Sequence, residues 1–276
     1  MALKKVFLGV FIFYFMSGSY LMAADIAIYG DSQHDYYVQR KIVEAVALAK
    51  PIAVFRVGDM VDDGNNQQQW DLLRNIEEPL IKTVKYYPAL GNHEKNSPLY
   101  FKNLHLQPDQ CWYSVEIEGI HFVIMDSNQD LKEGSKQHIW MVNDLKNVSN
   151  EIKYKVLIFH HPIFSVGPKN TEDEKHLKAI LLPIIQKYGV GAVFSGHVHS
   201  YQHFKYADTD FVVTAGAGSR LANQEGQSMY LKKFVKAYHF CLLTTQKNKL
   251  MVRVLDINGK VLDDFKINPR KSQLAQ

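Results

Sequence analysis

From residue 25 onward, apolar runs of strand length alternate with stretches whose apolar residues recur every three or four positions. Residues 25–29 read as a strand. Tyr37 to Lys50 reads as a helix, with Val38, Ile42, Ala45, Val46 and Ala49 along one face. Pro51 ends it, since proline donates no N–H and crowds the residue before it. Residues 52–57 are a second strand, 67–81 a second helix and 84–90 a third strand. Strand–helix–strand order of this kind predicts parallel βαβ units.

The middle of the chain changes character. Residues 112–117 and 120–126 flank Glu118-Gly119 and predict a β-hairpin. Helical spacing returns at 137–148 and at 174–188, where Pro183 invites a kink. Residues 154–159 and 190–194 are buried strands by their unbroken apolar character. Strands then dominate at 211–215, 238–245, 250–257 and 261–267, with Asn258-Gly259 as a hairpin turn between the last two. Residues 216–236 read as a long loop, rich in glycine and polar residues. No internal repeat or linker divides the pattern, so residues 25–268 form one domain and 269–276 a frayed polar tail.

Residues 1–24 do not follow the pattern. Lys4 and Lys5 precede an uncharged apolar run from Val6 to Met16, and small residues follow to Ala24. This is the order of a signal peptide, too short for a membrane span, and it predicts an exported protein, periplasmic or secreted. Retention as an N-terminal anchor is the alternative. No other stretch approaches spanning length. Losing the segment lowers the formal charge from +4 to +2. So small and dispersed a charge gives no signal for nucleic acid as a partner. Export makes a Cys111–Cys241 disulfide possible, and two separate buried thiols are equally consistent with the sequence.

Five short motifs close predicted strands: Gly30-Asp31-Ser32-Gln33, Gly58 through Asp62, Gly91-Asn92-His93-Glu94, His160-His161-Pro162 and Gly196-His197-Val198-His199. Ligands of open α/β sheets bind beyond the carboxyl ends of the strands. The side chains there are carboxylates, imidazoles and amides, which are metal-ligand types. Singly, each motif also reads as an Asx turn, a cap or a satisfied core histidine. Together and in order they point to a metal centre.

That order resembles the calcineurin-like metallophosphoesterase superfamily, and the third and fifth motifs most resemble its purple acid phosphatase branch. The resemblance spans about residues 25–267. It implies an α/β fold, a four-layer αββα sandwich of two mixed β-sheets flanked by helices. It also implies a dinuclear centre of divalent or trivalent metal ions, with Fe, Mn and Zn as candidates. Carried over, Asp59 bridges both metals, Asp31 and His199 bind one, and Asn92, His160 and His197 bind the other. His93 contacts the substrate phosphate and acts as general acid, while a metal-bridging hydroxide attacks phosphorus. The implied partner is a phosphate ester, small or macromolecular.

Two positions depart from the pattern. Many relatives have histidine where Gln33 stands, and the purple branch has tyrosine where Asp62 stands. Gln33 is either an oxygen ligand or a hydrogen-bonding side chain. Asp62 is either a ligand or a turn cap. His34 is expected to face away, as a neighbour of Gln33 in extended chain. His161 is expected to pack or touch substrate, and Glu94 to orient His93 or its loop. Tyr201 and His203 read as pocket-lining or surface positions. The leading function is an exported metal-dependent phosphoesterase. The alternative is a non-catalytic phosphate-ligand-binding or regulatory protein on a degenerate scaffold.

Overall fold

The structure, a computed structural model, describes residues 25–107, 110–168, 172–246 and 249–269. The predicted signal segment and the tail beyond residue 269 lie outside the described residues. The chain runs β1 (Asp25–Tyr29), α1 (Tyr36–Leu48), β2 (Ala53–Arg56), α2 (Gln67–Ile81), β3 (Lys85–Pro88), α3 (Pro98–Asn103), β4 (Tyr113–Ile117), β5 (Ile120–Ile124), α4 (Lys136–Asn147), β6 (Tyr154–Ile158), α5 (Glu172–Lys187), β7 (Ala192–Ser195), β8 (Tyr201–Tyr206), β9 (Thr209–Thr214), β10 (Leu231–Val235), β11 (His239–Gln246), β12 (Lys249–Asp256) and β13 (Val261–Ile267).

Both faces of the central strands are apolar, so each face needs a partner layer. Ile26 and Ile28 of β1 join Phe55, Phe122, Val156, Ile158 and Phe194 in a core between two sheets. Their neighbours Ala27 and Tyr29 point the other way, against Val38, Ile42 and Val46 of α1 and Ile76 and Leu80 of α2. On the far side, Val123, Leu157 and Val193 pack on Met141 and Leu145 of α4 and Leu181 and Ile185 of α5. The result is the expected four-layer αββα sandwich.

One sheet has the order β13-β12-β11-β1-β2-β3, the other β10-β8-β9-β7-β6-β5-β4. β1, β2 and β3 are parallel, as are β5, β6, β7 and β9. The remaining pairs are antiparallel, so both sheets are mixed. The parallel runs bring their carboxyl ends, and the loops after them, to common edges. Among the described residues no helix is long and apolar enough to cross a membrane.

Local chemistry sets the boundaries. Asp35 caps α1 by accepting the N–H groups of Tyr37 and Val38, and Asn66 caps α2 through Gln68 and Gln69. Each cap contributes about 1 kcal/mol. α5 runs past Pro183 without ending. Gly259, with φ +80°, makes the predicted turn between β12 and β13.

Three elements depart from the sequence reading. α3 was not expected. β8 lacks an apolar pattern because Gln202 and His203 are buried polar residues. β10 falls inside the stretch read as a loop; it is an edge strand whose exposed Lys232 and Lys233 mask its character. The disulfide alternative also fails. Cys111 and Cys241 form no disulfide with each other and are both buried, the first beside Trp70 and Tyr100, the second between the sheets.

Candidate metal centre

The loops after β1, β2, β3, β6 and β7 are stitched together by their backbones. The Asp31 N–H donates to the Gly58 carbonyl at 3.0 Å, Ser32 to Asp59 at 2.9 Å and Gly196 to His160 at 2.9 Å. Asp31, Asp59 and His197 adopt φ of 58°, 51° and 68°, a left-handed backbone tolerated best by Asp, Asn and His. A Cβ on Gly58, at φ +95°, would stand 2.7 Å from the Gly91 backbone and from His160 Nδ1. Only glycine lets these loops approach so closely.

Glu94 fastens two of the loops. Its buried carboxylate accepts the N–H groups of Asp59 (2.9 Å), Met60 (2.8 Å) and Gly91 (2.7 Å). It therefore orients the loop, as expected, and takes no part in the donor cluster.

Two groups of potential metal-ligating atoms result, each with all atoms within 4.8 Å of one another: Asp31, Asp59 and His199, and His160, His161 and His197. Asp59 touches the second group as well, since its Oδ2 lies 3.2 Å from His160 Nε2. Asn92 joins that group too, with Oδ1 at 3.0 Å from His160 Nε2 and 2.9 Å from His197 Nδ1. All six expected ligands are thus gathered at one place.

The imidazoles are held by their outer nitrogens. His160 Nδ1 donates to the Val57 carbonyl at 2.8 Å, and His199 Nδ1 to the Arg220 carbonyl at 3.1 Å. A carbonyl only accepts, so each Nδ1 carries the proton and each Nε2 is left facing the cluster. This is how metal-ligating histidines are oriented.

The electrostatics are those of a site built around positive charge. Burial, with the nearby Asp59 carboxylate, pushes the Asp31 carboxyl well above its usual range. Burial also disfavours the charged forms of Asp59 and His160, but their proximity outweighs it: Asp59 is lowered and His160 raised to about 9. His161, buried beside His160, is pushed down to about 3. Asp31 Oδ2 and Gln33 Oε1 are buried without a hydrogen-bond partner among the described residues. Two carboxylates, converging imidazole nitrogens and orphaned oxygens fit a pair of cations.

His93 stands at the rim, partly exposed, with Nδ1 donating to the Asp62 carbonyl at 2.8 Å and Nε2 3.9 Å from Asp59 Oδ2. Asp62 follows neither expectation. Its Oδ1 pairs with His34 Nε2 at 2.9 Å and lies 3.4 Å from His93 Nδ1, while the turn is capped by Asp63 and Gln69. His34 reaches it because φ 85° breaks the extended chain that would have turned the ring away. Tyr201 and His203 are neither rim nor surface residues: both are buried in β8 and bound to Asp263.

Sequence reasoning missed two supports. Ser127, after β5, lies 2.9 Å from His161 Nδ1. Arg56, ending β2, is fully buried; it donates to Ser32 Oγ at 2.6 Å and to Glu77 of α2 at 2.5 Å. A lone arginine in an apolar strand was the only signal for the second. A hollow of about 770 Å³ is bordered by Lys155, Gly191 and Thr209 where β6, β7 and β9 begin, the opposite edge from this chemistry.

Comparison with known proteins gives a consistent picture. The family model for calcineurin-like phosphoesterases matches residues 24–201. Purple acid phosphatase 18 of Arabidopsis thaliana is 26% identical over 163 residues, 54% of this chain and 37% of that protein. A relative from the same plant, named probable inactive purple acid phosphatase 24, is 26% identical over 215 residues, 61% of this chain and 35% of its own length. The chain therefore spans well under half the length of these relatives. The purple acid phosphatase from yellow lupin (Lupinus luteus) seeds superposes with a TM-score of 0.77 at 20% identity, covering 89% of this chain and 54% of that one. At that identity the likeness concerns the fold.

Proposed function

The chain belongs to the calcineurin-like phosphoesterase family, and on that premise we propose that it is an exported, dinuclear-metal phosphoric ester hydrolase. The observation that carries the reading is the sharing of Asp59 between two converging donor groups, with His160 and His199 locked by carbonyls in the ligating tautomer. Asp31, Asp59 and His199 would hold one ion, and Asp59, Asn92, His160 and His197 would hold the other. When bound, the ions supply Lewis acidity, acidifying water and drawing charge off the phosphoryl oxygens.

The chain's own residues do the rest. Glu94 keeps the Asp59 and Gly91 loops at fixed separation. The Asp62 carbonyl fixes the His93 ring, so that its protonated form presents Nε2–H beside the cluster. That proton goes to the departing ester oxygen, which leaves as an alcohol.

Export rests on Lys4 and Lys5 before the apolar run. N-terminal sequencing of protein recovered outside the cytoplasm checks it. For the activity, the mature chain is loaded with Mn²⁺, Zn²⁺ or iron and offered aryl phosphate mono- and diesters. Metal-dependent hydrolysis is expected. Full metal occupancy without turnover selects the second reading, a non-catalytic phosphate-ligand binder, which the name of the probable inactive relative keeps in view.

A further inference from the structure

We propose that Gln33 is an oxygen ligand of the first metal position, which makes that position oxygen-rich and selective for a hard divalent ion such as Mn²⁺, while the second position is nitrogen-rich. The inference rests on the dinuclear reading above.

Gln33 lies two residues after Asp31 and is 1% exposed. Its Nε2 donates to Asp59 Oδ2 at 3.2 Å. Oε1 shares a carbon with that nitrogen and is buried with it. It has no hydrogen-bond partner among the described residues, and neither has Asp31 Oδ2. Burying one such oxygen unsatisfied carries its full desolvation cost. Two of them on one loop, from residues that both reach toward Asp59, are accounted for by a cation that accepts their lone pairs.

The backbone keeps the carboxamide there. Ser219 Oγ donates to the Gln33 carbonyl at 3.1 Å, and the Ser219 N–H donates to the Asp31 carbonyl at 2.9 Å. Asp62, the other position that departs from the family pattern, is engaged with His34 and leaves the place to Gln33.

The two positions then differ in chemistry. The first collects oxygen from Asp31, Asp59 and Gln33 and a single nitrogen from His199. Two carboxylates and two neutral donors, with no phenolate or thiolate, suit a divalent ion, and oxygen donors suit Mn²⁺. The second collects nitrogen from His160 and His197, with His161 in reach, beside oxygen from Asn92 and Asp59. That set suits Zn²⁺ or iron.

The test titrates the metal-free full chain with Mn²⁺ and with Zn²⁺, using calorimetry and Mn²⁺ electron paramagnetic resonance. Wild type is expected to bind two ions. Gln33→Leu is expected to weaken one Mn²⁺ event by about tenfold or more and to leave the other in place. Gln33→His is expected to restore binding with preference moved toward Zn²⁺. Two Mn²⁺ events in Gln33→Leu equal to wild type overturn the proposal. If Gln33→Leu does not fold, as judged by circular dichroism, Gln33→His decides: an unchanged Mn²⁺-to-Zn²⁺ preference overturns it. Wild type binding fewer than two ions refutes the dinuclear reading itself, a failure visible before any variant is made.

Discussion

Asp59 Oδ2 lies 3.2 Å from His160 Nε2, and the two residues follow strands of different sheets. The contact therefore closes the gap at the sandwich edge, where β2 of one sheet meets β6 of the other. Among the described residues, Asp59 is the carboxylate seen to reach both donor groups. Asp59→Asn keeps the shape and removes the charge that both cations need. Activity is expected to fall by about a thousandfold or more, an effect of about 4 kcal/mol on the barrier. Elemental analysis is expected to find fewer than two ions per chain. A variant that keeps both ions and full turnover contradicts the bridging role.

His93 is argued to be an acid, and acids matter in proportion to the leaving group. A nitrophenolate departs readily without a proton, whereas an alkoxide does not. His93→Ala should thus slow alkyl phosphate hydrolysis by about a hundredfold or more and nitrophenyl phosphate far less. An equal loss on both substrates would instead make His93 a binding group.

The centre was more legible than its surroundings, for a physical reason. The candidate residues follow strands, and strands announce themselves by apolar runs, so the five motifs could be located in the sequence, and the family resemblance singled out Asp31, Asp59, Asn92, His160, His197 and His199 within them. The side chains around them depend on backbone angles and distant partners. His34 turns inward because of a left-handed φ, and Asp62 pairs with it across 28 positions. The Arg56–Glu77 pair spans 21 positions and joins a strand to a helix. β8 stayed hidden because Gln202 and His203 blur its pattern, and His203 is spent on a bond to the neighbouring sheet. The two thiols could be judged only once their cores were seen to be separate.

The Arg56–Glu77 pair is fully buried and leans on the first ligand loop through Ser32. Tyr29 also donates to Glu77, at 2.6 Å. Arg56→Met alone leaves the Glu77 charge uncompensated in the interior and is expected to cost about 3–5 kcal/mol in urea unfolding. The double variant Arg56→Met/Glu77→Leu is expected to be more stable than that single variant, because no lone charge remains. A single variant within about 0.5 kcal/mol of wild type would show that the pair carries no such weight.

His203 also links the two sheets. From β8 it binds Asp210 at 3.0 Å and, on β13, Asp263 at 3.1 Å, and it stacks on Phe265. Lys205 also pairs with Asp210, at 2.8 Å. Burial opposes the charge on His203, but the hydrogen bonds it donates to the Asp210 and Asp263 carboxylates prevail and its pKa is raised. Burial likewise opposes the Asp263 charge, and His203 and Tyr201 overcome it, so that pKa is lowered. A raised histidine contributes fully below its unfolded value of about 6.5 and loses the contribution as pH climbs through the folded value. A lowered aspartate contributes fully above about 3.9 and loses it as pH falls through the folded value. The clasp is therefore strongest between those limits. Urea midpoints measured from about pH 5 to about pH 9 should fall more steeply for wild type than for His203→Gln, whose side chain carries no charge to lose. The lost stacking displaces the whole curve of the variant without changing its slope. Parallel curves for the two proteins would mean that His203 is neutral in the fold throughout, and that the sheets are joined there by packing alone.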